Sequence, residues 1–184
     1  MSDKDLLPGF THVDHVSITV PDLEGAVDFY TRVFGAEVAY RMGPFDAAEM
    51  PKMDDGRDWT EAHVDVKGAK LEIAMLKLAS NLMIELFQYH KPTDAARTPP
   101  RNCDYGGHHL AFKVEDLDAA IAHLEKHGCR ALAGPIEMPE GPTVGCRARY
   151  LVDPWGNYME LMEYQHQAYM DETGVKPYGT AKSA

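Results

Sequence analysis

Two histidines and two glutamates carry the chemistry that can be argued from this sequence, because each type occurs twice in matching surroundings. His15 opens the run His15-Val16-Ser17-Ile18-Thr19-Val20-Pro21-Asp22-Leu23, and His109 opens His109-Leu110-Ala111-Phe112-Lys113-Val114-Glu115-Asp116-Leu117. With His15 laid on His109, Val20, Asp22, Leu23 and Ala26 fall on Val114, Asp116, Leu117 and Ala120, and Gly35 falls on Gly128 after one deletion. Glu85, in Ile84-Glu85-Leu86-Phe87-Gln88-Tyr89, falls on Glu160, in Met159-Glu160-Leu161-Met162-Glu163-Tyr164, at an offset 19 residues shorter. Two imidazoles and two carboxylates form a mixed nitrogen and oxygen set suited to one divalent Ni, Co, Zn, Mn or Fe ion, with two octahedral positions open to water or substrate. Carboxylates in such a site can also take up and return a proton.

For that set to assemble, each unit must carry its histidine on a first strand and its glutamate on a neighbouring last strand. From His12 to Val20 the β-branched residues alternate, with Val16, Ile18 and Val20 opposite His15, Ser17 and Thr19. Pro21 ends the strand, Asp22 caps a helix from Leu23 to about Phe34, and Gly35 stops it. Glu37 to Met42, Lys70 to Leu78 and Leu82 to Tyr89 read as strands, with a short helix near Asp58 to Asp65. The second unit repeats the order: a strand at His109 to Val114, a helix from about Asp116 to His127, and strands at Arg130 to Ile136, Gly145 to Val152 and Tyr158 to Tyr164. The fold expected is therefore α+β, two tandem βαβββ modules whose curved mixed sheets form a metal-containing cup.

The organisation follows. Residues 12–90 form the first module, and an irregular Asp-, Met- and Gly-rich insertion at about 43–68 accounts for the 19 extra residues and is placed to cover a pocket. Residues 91–105 contain Pro92, Pro99 and Pro100 and read as a linker, 106–165 form the second module, and 166–184 are a polar tail without a core-forming period. His108 falls on the face opposite His109, and the remaining histidines lack repeat partners. Tyr150 reads as a packing tyrosine or, as the lesser alternative, a helper in proton transfer, and Arg147 and Arg149 either as contacts to an anionic substrate or as exposed strand residues.

The bulk properties narrow the classes. Of 184 residues, 45% are hydrophobic and 26% charged, an ordinary globular composition, and no apolar run reaches the length of a membrane span. The net charge of −11 without a Lys/Arg cluster argues against nucleic acid. Three scattered cysteines, without a CxxC, indicate neither a disulfide framework nor a zinc ribbon, and the acidic start Met1-Ser2-Asp3-Lys4-Asp5 is unlike a signal peptide. A cytoplasmic protein with no membrane partner is expected.

At these residues the chain resembles the vicinal oxygen chelate superfamily, which includes glyoxalase I, epimerases, extradiol dioxygenases and drug resistance proteins. The resemblance spans about Val13 to Tyr164 and rests on His15 with Val20-x-Asp22-Leu23, Ile84-Glu85-Leu86, Gly107-His108-His109-Leu110-Ala111-Phe112, and Asp153-Pro154-x-Gly156 leading to Glu160. The ligands of the bacterial glyoxalase I pattern fall on His15, Glu85, His109 and Glu160. Gly106 to Phe112, with Glu140-Gly141-Pro142 and Pro154-Trp155-Gly156, is most similar to epimerases acting on 2-epi-5-epi-valiolone.

The resemblance implies a divalent-metal-dependent isomerase or epimerase, or a glyoxalase-type lyase. It would abstract a proton α to a carbonyl and stabilise a chelated enediolate on a small substrate with vicinal oxygens, with Glu85 and Glu160 as the bases. A homodimer is expected, and the half-sites meet either within one chain or across it. An Fe(II) extradiol dioxygenase is the alternative, disfavoured because Thr143 to Arg149 lacks the histidine of that group and because Glu85 adds a carboxylate. A non-catalytic drug-binding protein is the second alternative.

Overall fold

The regular spacing of Leu23, Ala26, Val27 and Tyr30 folds as helix α1 (Leu23–Phe34), whose buried stripe lies against the sheet formed by the strands around it. In this computed structural model, which describes residues 7–177, the remaining elements are β1 (Val16–Thr19), β2 (Glu37–Asp46), α2 (Trp59–Val64), β3 (Lys70–Leu78), β4 (Leu82–Lys91), β5 (His109–Val114), α3 (Leu117–Lys126), β6 (Arg130–Ala131), β7 (Ile136–Glu137), β8 (Arg147–Val152), β9 (Tyr158–Glu163) and α4 (Ala168–Thr173). The acidic start Met1 to Asp5 and the last seven residues of the tail lie outside the described span.

The architecture is α+β, with two open sheets of mixed strands. The first runs β1-β4-β3-β2 and the second β5-β9-β8-β6, with β7 also on β8. In both sheets the first strand lies parallel to the last, β1 beside β4 and β5 beside β9, and the other pairings are antiparallel. No helix among the described residues is long and apolar enough to cross a membrane.

The same two devices start both long helices. Asp22 accepts from Gly25 N at 3.0 Å and Asp116 from Ala119 N at 2.9 Å. From the last strand of each sheet, Gln88 Oε1 accepts from Leu23 N at 2.7 Å and Glu163 Oε2 from Leu117 N at 3.1 Å. These long-range bonds satisfy amides that have no partner inside the helix. They also tie β4 to α1 and β9 to α3 three residues beyond the glutamates.

One hydrophobic core serves both modules. It takes Ile84 and Leu86 from the first sheet, Leu151, Met159 and Leu161 from the second, and the buried faces of both long helices. Phe34 meets Phe112 at 4.9 Å between ring centroids, and Phe29 meets Trp155 edge-on at 5.5 Å. The core lies on the helix side of each sheet, so the opposite faces look away from it.

Three expectations need correction. The strand expected to end at Met42 runs to Asp46, because β2 is an edge strand and Gly43-Pro44 is absorbed where the register shifts between Met42 and Phe45. The single strand expected from Arg130 to Ile136 is two short pieces interrupted at Gly134-Pro135, where Gly134 takes φ 128. The tail expected to lack a pattern contains α4 and buries Gln167.

The insertion is organised by Asp58. Its carboxylate accepts from Thr60 Oγ1 at 2.7 Å, Glu61 N at 2.9 Å and Gly68 N at 2.9 Å, and these donors hold its pKa down at about 2. A carboxylate whose folded pKa lies below its unfolded value of about 3.9 stabilises the fold above that value and loses the contribution as pH falls through the folded one. Urea midpoints measured from pH 6 down to 2 should therefore show wild type above Asp58→Asn, with the gap closing between about pH 4 and pH 2. A constant gap would remove the charge of Asp58 from the account.

Candidate metal centre

Strand pairing places each glutamate on the face away from the shared core. In β4, Ile84, Leu86 and Gln88 turn toward α1, which leaves Glu85, Phe87 and Tyr89 on the other face, and Ser17 pairs with Glu85 across from β1. His15, one residue ahead of β1, shares that face, with Nε2 at 3.4 Å from Glu85 Oε2. In the second module Ala111 pairs with Glu160, and His109 Nε2 lies 3.3 Å from Glu160 Oε2. Both glutamates are largely covered, while the histidines are about one-third exposed at 38% and 34%.

The structure thus brings the four residues together as two pairs rather than as one quartet. Among the described residues, no group of three or more His, Cys, Asp or Glu side chains is close enough to hold one ion. Each pair presents one imidazole nitrogen and one carboxylate oxygen side by side, half of a four-ligand set.

The two pairs are chemically unequal. His15 Nδ1 donates to Asp14 Oδ1 at 2.7 Å, which fixes the tautomer that leaves Nε2 free as a ligand. At the equivalent place in the second module stands His108, whose Nδ1 faces Gly106 O at 3.1 Å and whose ring borders a small crevice between the modules with Ile18 and Tyr30. His109 has Tyr150 on its open side instead, with the phenol oxygen 3.3 Å from Nε2 and the rings edge to face at 5.0 Å.

Tyr150, for which the sequence allows either packing or proton transfer, stands beside the second pair. It pairs directly with Glu160 across β8 and β9. Burial, then the negative charge of neighbouring Glu160, push the phenol pKa up, so the group keeps its proton. Its alternation with Ala148 and Val152 was readable in the sequence, but only the pairing with β9 says which face that is. Asp14 was also missed, since nothing in the repeat singles it out.

Arg147 and Arg149 take no part. Arg147 donates to Glu163 and Asp118, both at 3.0 Å, and Arg149 donates to Leu132 O at 2.8 Å. Both belong to the face opposite Glu160.

The turn before β9 aims Glu160. Asp153, 4% exposed, accepts from Trp155 N at 2.9 Å and from Asn157 N and Nδ2 at 2.8 Å. Burial raises its pKa, and the donors of the turn offset part of that. Gly156, at φ 97, completes the turn in a conformation few other residues adopt.

Comparison with known proteins gives consistent results. Residues 12–161 match the Glyoxalase/Bleomycin resistance protein/Dioxygenase superfamily. A 2-epi-5-epi-valiolone epimerase from Actinomyces sp is 41% identical over 175 residues, covering 94% of this chain and 90% of that one. Among solved structures, a glyoxalase family protein from Bacillus cereus superposes with TM-score 0.65 at 23% identity, over 89% of this chain and 97% of the other. A fosfomycin resistance protein from Listeria monocytogenes, complexed with Mn(II) and sulfate, superposes with TM-score 0.53 at 16% identity, over 85% and 94%. These last two likenesses concern the fold, and the epimerase relative supports an enzyme of the isomerase class.

Proposed function

Because the chain belongs to the Glyoxalase/Bleomycin resistance protein/Dioxygenase superfamily, we propose that it is a divalent-metal-dependent epimerase of a small substrate carrying a carbonyl beside a hydroxyl. The observation that carries this reading is the duplicated His–Glu pair on the face of each sheet turned away from the shared core, with Nε2 to Oε2 separations of 3.4 and 3.3 Å. The substrate named for the 41% identical relative, 2-epi-5-epi-valiolone, is the first to try.

The donor chemistry fits a divalent ion of the Ni, Co, Zn, Mn or Fe type. His15 and Glu85 would hold it from one side, His109 and Glu160 from the other, and when bound it supplies Lewis-acid stabilisation to an oxygen on which charge develops. The chain's own residues then do the proton work. Glu85 and Glu160, on opposite sides of the substrate, are placed to take the α-proton from one face and return one to the other, which inverts the carbon. Tyr150, with its phenol oxygen 3.3 Å from His109 Nε2 and paired with Glu160 across the strands, borders this half-site and restricts where its groups point.

A second copy of the chain completes the site. Both His–Glu faces point away from the shared core, so His15 and Glu85 of one protomer meet His109 and Glu160 of its partner about a two-fold axis, giving two sites per dimer. Apolar side chains left exposed on the first face, Tyr40 and Met42, with Met50 and Met53 of the insertion beside them, suit coverage by the partner.

Mixing protomers tests this arrangement. A Glu85→Gln chain and a Glu160→Gln chain are each expected to be nearly inactive. Co-refolded in equal amounts they should recover about one quarter of wild-type activity, since half of the dimers are mixed and each mixed dimer has one intact site. No recovery would place all four ligands in one chain. Metal analysis of the purified protein and solvent deuterium appearing at the epimerised carbon test the reaction itself, and a protein that consumes oxygen with a catechol would overturn it.

A further inference from the structure

Two histidines outside the His–Glu pairs stand one helical turn apart at the C-terminal end of α3, His123 within its last turn and His127 as its C-cap. At that spacing both rings leave the same face of the helix, the arrangement by which two histidines of a single helix chelate a metal ion. Their ring centroids are 4.7 Å apart. With metal–nitrogen bonds of about 2.1 Å, two imidazoles on one ion have centroids about 4.5 Å apart at a right angle and about 5.2 Å apart at a tetrahedral one. The observed spacing lies nearer the right angle, the preference of tetragonal Ni(II) and Cu(II) rather than of tetrahedral Zn(II).

A third donor comes from the other module. His123 Nε2 lies 3.3 Å from the carbonyl oxygen of Val33, in the last turn of α1. An ion that replaced the proton between these two atoms, bonded to each at about 2.1 Å, would see them at about 100°. The last carbonyls of a helix have no partner inside it and carry the negative end of its dipole. Both long helices bring that end here, α1 at Val33 and α3 at His127. Burial, then the charges of His123, Arg32 and Lys126, hold the His127 pKa below its ordinary value, so this imidazole meets an ion uncharged. Asp28 takes up the charge of Arg32 through contacts of 2.9 and 3.0 Å, which leaves Lys126 as the cation opposing a metal.

We infer that His123, His127 and the Val33 carbonyl form a second divalent-metal site, suited to Ni(II) or Cu(II), that ties α3 of the second module to α1 of the first. Water completes the coordination. The site is separate from the His–Glu pairs, because both long helices lie on the core side of the sheets and the pairs lie on the other. It therefore stands independently of the epimerase reading.

The test is a titration of metal-free full-length protein with Ni(II), the bound ion being counted by equilibrium dialysis and elemental analysis. Wild type should take up two ions per chain, one at the His–Glu centre and one here, while His123→Ala and His127→Ala should each take up one. At Ni(II) 100-fold above its Kd, the wild-type Tm should rise by about 5 °C more than that of either variant. A variant that binds as many ions as wild type overturns the site. One ion in wild type and none in the variants upholds it and sinks the metal-dependent reading of the His–Glu centre. Should a variant fail to fold, paramagnetic broadening by Ni(II) of the His123 and His127 ring-proton resonances in wild type decides, and resonances that stay sharp overturn the site.

Discussion

Glu160→Gln is expected to lower epimerisation by about 10²- to 10⁴-fold, and Glu85→Gln by a similar factor. Glutamine keeps the shape and one oxygen of each carboxylate but can no longer take up a proton. Metal content measured on the same samples separates the two roles of these residues, because a variant that retains its ion and loses turnover has lost a base. Exchange sharpens the result. With one base gone, α-proton exchange with solvent deuterium should persist from one epimer only, the epimer differing between the two variants. Unchanged turnover in either variant removes that residue from the proton transfer.

Gly107→Ala is the second large effect. A Cβ at Gly107 would stand 2.2 Å from Arg101 O and 2.8 Å from Asp104 O, both backbone atoms that cannot swing aside. The turn is held by Gly107 N to Asp104 O at 2.8 Å, Asp104 N to Arg101 O at 3.0 Å, and the Arg101–Asp104 ion pair. Forcing it open should cost about 3 kcal/mol of stability. His109 begins β5 only two residues later, so turnover should fall with stability. Thermal unfolding and kcat on the same preparation check this, and a fully active, fully stable Gly107→Ala would refute the steric account. Gly106 is different: at φ 84 it needs glycine for its backbone conformation, but a Cβ there would meet nothing.

Both long helices were legible in the sequence because their limits are written locally. Asp22, Asp116 and Gly35 are chemical stop and start signals, and α1 begins and ends where they place it. The His–Glu pairs were legible for another reason: duplication turns a weak motif into a geometric constraint, since equivalent residues occupy equivalent places. What could not be read depends on contacts distant in sequence. The face to which Tyr150 belongs is decided by its pairing with Glu160, and Pro44 is tolerated within β2 because that strand has a free edge. Helix α4 has six residues, too few for an apolar period to emerge.

The Phe34–Phe112 and Phe29–Trp155 contacts weld the two modules into one core, with α1 of the first packed on β5 and on the turn before β9 of the second. A chain built this way has no hinge between its halves, so neither His–Glu pair can swing toward the substrate independently of the other. Differences in access to the two pairs must then come from the periphery, from the insertion around Trp59 and the segment around Gln167. Laboratory evolution for new substrates should accordingly accumulate changes in those two places and leave the aromatic weld untouched.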